Sequence, residues 1–261
     1  MPARFDHAVV IVPSLKRAVR SFERLGFCVV PGGRTGPVHN ALILFGDGTY
    51  LELTTNRFSM ARPVYRALNA TGLMGHVAAK RKDMLHRFLP LIGARQGAID
   101  WCIRVDDIRD VVRRLRDAGI EMVGEMEFER ERPDGKVARW LLAGPRDVRL
   151  PFLIEDLTPV EIRVPFRDLS THPNGVTAIR RLVLPDEAKA AFERTLGRVL
   201  RAEPGPAADE SAPVGGVTIE GSLQEEMLTG PYRLELLRPG GDDEELHPKE
   251  TFGVSIKLVG M

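Results

Sequence analysis

Cysteine is nearly missing from this chain: there are two in 261 residues, Cys28 and Cys102, each in an apolar stretch. No disulfide framework and no zinc-type spacing can be built from them, so both read as buried free thiols. Aromatic residues are sparse at 6%, and no apolar run approaches the roughly 20 residues a membrane-spanning helix needs. Neither sign of charge dominates. With 37 Lys and Arg against 36 Asp and Glu, nucleic acid and anionic membrane are not expected partners. The N-terminal residues Met-Pro-Ala-Arg-Phe-Asp-His lack a signal-peptide pattern, which makes the cytoplasm the expected compartment. A nucleophile elbow, a P-loop and a dinucleotide fingerprint are also missing. The 43% hydrophobic content is enough for a globular core.

What is present centres on Val38 to Thr55. Two apolar runs joined by Gly46-Asp47-Gly48-Thr49 predict a β-hairpin with Asp47 and Gly48 at its tip. A two-residue loop sets Gly46 opposite Thr49 and Ile43 opposite Glu52, and period two puts His39 on the face of Ile43 and Glu52. Glu52 stands between Leu51 and Leu53 in a strand that otherwise reads as buried. A carboxylate removed from water there costs several kcal/mol unless a cation, a metal or a hydrogen-bond donor meets it.

The pattern around the hairpin repeats. Phe5 to Val12 predicts a strand, Ser14 a helix cap, apolar residues at 15, 18, 19, 22 and 25 a helical stripe, and Gly26 its end. Phe27 to Pro31 then begins the next strand. A second copy runs through Ala98–Val105, a stripe at Ile108, Val111, Val112, Leu115 and Ala118, Gly119, Glu121–Phe128, Val137–Ala143 and Leu150–Glu155. A third opens at Val176–Leu184, where Pro185 starts a helix, and closes with strands at 216–221 and 232–237. Phe252–Val259 is a further strand with no assigned partner. The Pro, Gly and Ala rich stretch 202–216 reads as a loop. Residues 62–96 are an insertion whose stripe of Met84, Leu85, Phe88, Leu89 and Ile92 reads as a packing helix.

The βαβββ repeat, Asp6-His7, His39-Asn40-Ala41-Leu42 and Tyr50-Leu51-Glu52-Leu53 together resemble the vicinal oxygen chelate superfamily, in its glyoxalase-like branch. Asp100-Trp101, Val105-Asp106-Asp107-Ile108, Arg132-Pro133-Asp134-Gly135 and Leu150-Pro151-Phe152-Leu153-Ile154-Glu155 carry the same resemblance. It implies an α+β fold of tandem βαβββ modules forming cupped mixed sheets, two paired within residues 1–165 and a third in 166–261. It also implies a divalent metal (Mn, Fe, Mg, Zn or Ni) held from the first and last strands of the paired modules and polarising neighbouring oxygens of a substrate. His7, Glu52 and Glu155 match ligand positions. The fourth is Asp100 or, in the other alignment, Trp101, which cannot bind metal. Ile179 stands at the third module's equivalent of His7, so Glu235 there is expected to have no imidazole partner.

Each residue also has a plainer reading. His7 can be a core histidine, and Glu52 and Glu155 can pair with arginines in this arginine-rich chain. His39 and Arg139 are candidate substrate contacts, Arg139 as a fork for an anionic group; Arg139 can equally be the partner of Glu52 or Glu155. His172 reads as a linker residue. The expected function is metal-dependent isomerase, lyase or dioxygenase chemistry on a small oxygenated metabolite, with Glu52 and Glu155 as catalytic carboxylates. The rival is a metal-free protein that binds or sequesters a small molecule. A homodimer through the third module is the expected assembly.

Overall fold

The computed structural model describes residues 3–35, 38–56, 62–91, 96–132, 134–165, 171–201, 216–222 and 231–260. The first module is β1 (Arg4–Ile11), α1 (Leu15–Arg24), β2 (Val30–Thr35), β3 (Val38–Leu44) and β4 (Tyr50–Asn56). The insertion forms α2 (Arg62–Ala70), α3 (Leu73–Ala79) and α4 (Leu85–Leu91). Then come β5 (Gly97–Arg104), α5 (Ile108–Asp117), β6 (Met122–Glu131), β7 (Val137–Pro145), β8 (Phe152–Asp156) and the short α6 (Val160–Arg163). The C-terminal part holds β9 (Ala178–Pro185), α7 (Asp186–Phe192), a π turn at Glu193–Gly197, α8 (Arg198–Arg201), β10 (Thr218–Ser222), β11 (Arg233–Arg238), β12 (Glu244–Glu245) and β13 (Ser255–Gly260).

The repeat extends to individual hydrogen bonds. Ser14 caps α1 by accepting from the Arg17 amide, and Asp107 caps α5 by accepting from that of Asp110. At the other ends Gly26 and Gly119 take φ of +82° and +81°, and the following amides of Phe27 and Ile120 donate back to Phe22 and Leu115. Such a left-handed turn is one glycine adopts without strain.

The paired modules build an eight-stranded sheet in the order β2-β3-β4-β1-β5-β8-β7-β6. β1 runs parallel to β4 and antiparallel to β5, which runs parallel to β8, so a pseudo-twofold lies between β1 and β5. The sheet curls until its edges approach: a Cβ built on Gly33 in β2 would lie 2.8 Å from Cδ of Arg130 in β6. A cup results. The second sheet, in the order β10-β9-β11-β13-β12, repeats the central arrangement: β9 is parallel to β10 and antiparallel to β11, which is parallel to β13. The strand at 252–259, left without a partner by its sequence, is β13, and its place beside β11 makes the C-terminal part read as two abridged modules.

One apolar core joins the sheets. Phe5, Ile43, Leu51, Trp101 and Leu153 from the first sheet share it with Phe22 of α1, Ile108 of α5, Phe192 of α7, and Leu182, Leu234 and Ile256 of the second. Trp101 packs on Phe192 at 5.3 Å, and the Tyr232 hydroxyl donates to the Val9 carbonyl at 2.6 Å. The opposite face of the first sheet lines the cup. In the insertion, α4 and the residue before it pack Phe88 and Met84 against that lining as the apolar stripe predicts; Ile92 lies outside the described residues, as does the 202–216 loop apart from Gly216. Among the described residues no helix is long and apolar enough to cross a membrane.

The central hairpin departs from its predicted register. Its loop has three residues, Gly46-Asp47-Gly48: the Phe45 amide donates to Thr49 O, and Gly48, at φ +86°, donates to Phe45 O. The Gly46 amide is spent on Thr177 O, and Asp47 Oδ1 accepts from both the amide and the hydroxyl of Thr49. The extra loop residue shifts the ladder by one, setting Leu42 rather than Ile43 opposite Glu52. Asn40, not His39, therefore shares the face of Glu52.

Because the core is shared, Phe192→Ala should destabilise the protein by about 3–5 kcal/mol. Denaturant titrations followed by tryptophan fluorescence and by far-UV circular dichroism should still coincide; two separated transitions would show that the sheets unfold independently.

Candidate functional site

The floor of the cup is laid out by a bulge in β1. Phe5 pairs with Ile103 and His7 with Cys102, which leaves Asp6 as the extra residue. A bulge re-aims side chains, and here Asp6 and His7 turn to the same side. The His7 ring stacks on Tyr50 at 4.5 Å and meets the edge of Phe152 at 5.5 Å. Its Nδ1 lies 2.7 Å from Asp6 Oδ1. Asp6 is ionised and can only accept, so in the neutral ring Nδ1 carries the proton and Nε2 presents its lone pair.

Nε2 faces Glu52. His7 Nε2 is 3.6 Å from Glu52 Oε2, and Asn40 Nδ2 donates to Glu52 Oε1 at 2.9 Å. The imidazole is almost wholly buried, while the Glu52 side chain keeps 19% of its surface exposed and so reaches the open part of the cup. Asn40 Oδ1 is buried, with no hydrogen-bond partner among the described residues.

Behind this pair is a buried charge cluster. Arg163, at the end of α6, donates to Asp6 Oδ2 at 3.1 Å, to Asp156 at 2.5 and 2.9 Å, and to the Tyr50 hydroxyl at 2.6 Å. Burial opposes charge on Asp6, yet Arg163, His7 and Arg104 outweigh it and hold the carboxyl well below the usual carboxylate range. Burial likewise pushes the Tyr50 phenol up, against the pull of Arg163, and the Cys102 thiol up, with the Asp6 carboxylate adding to it. Tyr50 and Cys102 therefore stay protonated at neutral pH.

Of the expected site residues, the structure brings together His7 and Glu52. His39 is moved to the other face by the hairpin register. Glu155 lies beside Leu141 on the helix side of the sheet, where its Oε2 accepts from the Ile108 amide at the start of α5 at 2.8 Å. Arg139 is exposed on that same side and paired with Glu127. Asp100 is taken by the fork of the fully buried Arg87, at 2.8 and 3.2 Å. Glu235 is held by Arg181 and Arg233, each at 2.9 Å, and His172 accepts from the Cys28 amide in the segment between the sheets. Arg163 and Asn40 were missed, although Asn40 lay in plain view three residues ahead of Ile43.

Strand register also relates positions across the two central ladders. His7 pairs with Tyr50, and Cys102 pairs with Phe152, in the two parallel ladders. The symmetry mates of His7 and Glu52 are therefore Cys102 and Ile154, not Asp100, Trp101 or Glu155. Asp6, His7 and Cys102 offer ligand atoms all within 4.8 Å of one another. They suit a hard divalent ion poorly: Asp6 spends its oxygens on His7 and Arg163, and Cys102 offers a soft sulfur. His7 Nε2 and Glu52 Oε2 are two usable donors, and Ile154 at the opposing position supplies none. The residues present do not fit the four-ligand centre that the resemblance implies.

Asp6→Asn would leave Arg163 with an uncompensated share of charge in the interior and should cost about 3–5 kcal/mol at pH 7. Since the folded state depresses the Asp6 pKa, its contribution is present above the ordinary value of about 4 and is lost as pH falls below it. Urea titrations should show the gap between wild type and variant closing as pH falls below about 4; a gap independent of pH would exclude an ionised Asp6.

Known proteins agree with this architecture. No curated protein matches the sequence. A hypothetical protein from Staphylococcus aureus superimposes over 99% of this chain and 100% of its own, at 14% identity and a TM-score of 0.68. The 2,3-dioxygenase LapB from Pseudomonas sp. KL28 superimposes over 99% of this chain and 92% of its own, at 12% identity and a TM-score of 0.50. Both likenesses are of fold. A family model described as a glyoxalase-like domain matches residues 5–200, and the chain belongs to that family.

Proposed function

We propose that the cup binds a small oxygenated metabolite and that His7 exchanges a proton with it, in the manner of an isomerase or lyase step. The observation carrying this reading is the Asp6–His7–Glu52 line: a buried carboxylate fixes the ring through Nδ1, and Nε2 points at a partly open carboxylate. An imidazole so oriented is a general base at Nε2, and Glu52 is placed to accept or return the same proton. Tyr50 stacks on the ring and limits its rotation; Asn40 keeps Glu52 turned toward it. Phe152 and Ile154 line the same face and keep water from the imidazole.

A metal-dependent isomerase, lyase or dioxygenase step is the second reading. It draws on His7 and Glu52 as the two donors and on the family resemblance, and it ranks second because the opposing positions are Cys102 and Ile154. Metal-free sequestration of a ligand, without chemistry, is the third.

The test is a panel of small carbonyl and hydroxy acids incubated with the protein in D2O and followed by proton NMR. The expected result is exchange of a C–H beside a carbonyl that falls about 10²–10⁴-fold in His7→Gln and is unchanged by dialysis against EDTA. Exchange that is lost with EDTA and restored by one divalent ion establishes the metal reading. Binding with no exchange in wild type establishes sequestration.

A further inference from the structure

Among the arginines at the cup, Arg104 is paired with Asp6, and Arg163 and Arg87 are saturated. Arg163 is spent on Asp6, Asp156 and Tyr50, and Arg87 on Asp100 and the carbonyls of Pro145, Asp147 and Leu150. Arg130 of β6 is different. Its guanidinium makes one hydrogen bond, from Nη2 to the Arg163 carbonyl at 2.6 Å, and no carboxylate of the described residues lies within 4.0 Å of it. It is half-buried, 6.0 Å above the Trp140 ring, with its stem against the backbone of Gly33. Glu52 is near enough for its charge to act on it.

The sequence marks this residue as it marks Glu52. Along β6, Glu125, Glu127 and Glu129 point to solvent, and Met126, Phe128 and Arg130 alternate with them on the cup side. A cation stands where the pattern calls for an apolar side chain. A guanidinium half-withdrawn from water with no carboxylate in contact with it is costly, and one lying over an indole keeps N–H pairs free to offer.

Beside it is an apolar wall. Phe128 stacks on Trp140 at 6.2 Å and meets Phe88 of α4 edge-on at 6.3 Å. We infer that Arg130 receives the carboxylate of the ligand, whose apolar or aromatic body lies on Phe88, Phe128 and Trp140. The inference rests on the cup being the small-molecule site and narrows its substrates to organic acids with an apolar body. A planar carboxylate matches the guanidinium fork with two parallel hydrogen bonds. Such a contact discriminates strongly against the uncharged isostere, which leaves the fork unpaired.

The experiment compares phenylacetate with phenylacetamide at millimolar concentration, following protein fluorescence and ligand NMR line broadening. Wild type should bind phenylacetate at least 10-fold more tightly than the amide. Arg130→Gln, which keeps a donor for the Arg163 carbonyl, should lose that preference, and Arg130→Lys should keep part of it; far-UV circular dichroism and melting temperature should be unchanged in both. Absence of phenylacetate binding, equal binding of the two compounds, or an undiminished preference in Arg130→Gln overturns the inference. His7→Gln should still prefer the acid. A wild type that prefers the acid but exchanges no proton overturns the His7 reading alone, and a wild type that exchanges a proton with no preference for the acid overturns the Arg130 inference alone.

Discussion

The ion pair between Asp6 and Arg163 is the constraint on which the cup depends. Both groups are buried, they come from distant parts of the chain, and neither is tolerable in the interior without the other. Asp6 is on the first strand and Arg163 closes the helix that follows the last strand of the second module, so the contact ties the two ends of the paired modules across the floor. The same Asp6 fixes the imidazole of His7, and the same Arg163 holds Tyr50, on which His7 stacks. One buried charge pair thus joins the start of the first module to the end of the second and directs the His7 ring. Its cost in desolvation is returned as geometry, because a ring held on two sides has one tautomer and one orientation.

A comparison with Arg87 and Asp100 shows why this pair is special. Arg87 also brings a helix to the first sheet, and its fork on Asp100 is equally buried. That contact ends in backbone carbonyls and touches no group able to transfer a proton. It fastens the insertion to the sheet. The chain therefore uses the same chemical device twice, once to attach a covering helix and once to build a site.

Much of this was legible in the residues. The βαβββ repeat follows from apolar spacing, helix caps and the glycines that end α1 and α5, and the order of elements in the first two modules is as those signals predict. Glu52 was recognisable because a carboxylate between two leucines needs a partner. His7 is beside it as expected, but its cross-strand neighbour is Leu42 and not Ile43, because the hairpin loop has one more residue; the Gly46 amide in that loop donates to Thr177, a contact 131 residues away that no local rule contains. Asp100 and Glu155 follow from the order of elements and Arg139 from the second hairpin, whereas face is decided by register and bulges. The irregularity that isolates Asp6, and a second one at Val9 and Val10, shift which residues of β5 look into the cup. Arg130 was within reach of the same argument as Glu52, since both are charges at inward positions of otherwise apolar alternation.

The pseudo-twofold between β1 and β5 gives the site its character by being broken. Equivalent positions carry His7 and Cys102, Tyr50 and Phe152, Glu52 and Ile154. Every polar member is on the first module, and its mate is apolar or a protonated thiol. One wall of the cup therefore offers charge and proton chemistry while the opposite wall, continued by Leu142, Trp140 and Phe128, offers apolar surface. Symmetric walls would favour a ligand coordinated from both sides around a central ion. Walls that differ favour a ligand with two ends, one oxygenated and one apolar, held in a single orientation because turning it around would bury its polar end against Ile154 and Phe152. On the reading proposed above, retaining the fold while dividing its two faces in this way would let one pair of donors, His7 and Glu52, act on a defined end of a bound molecule.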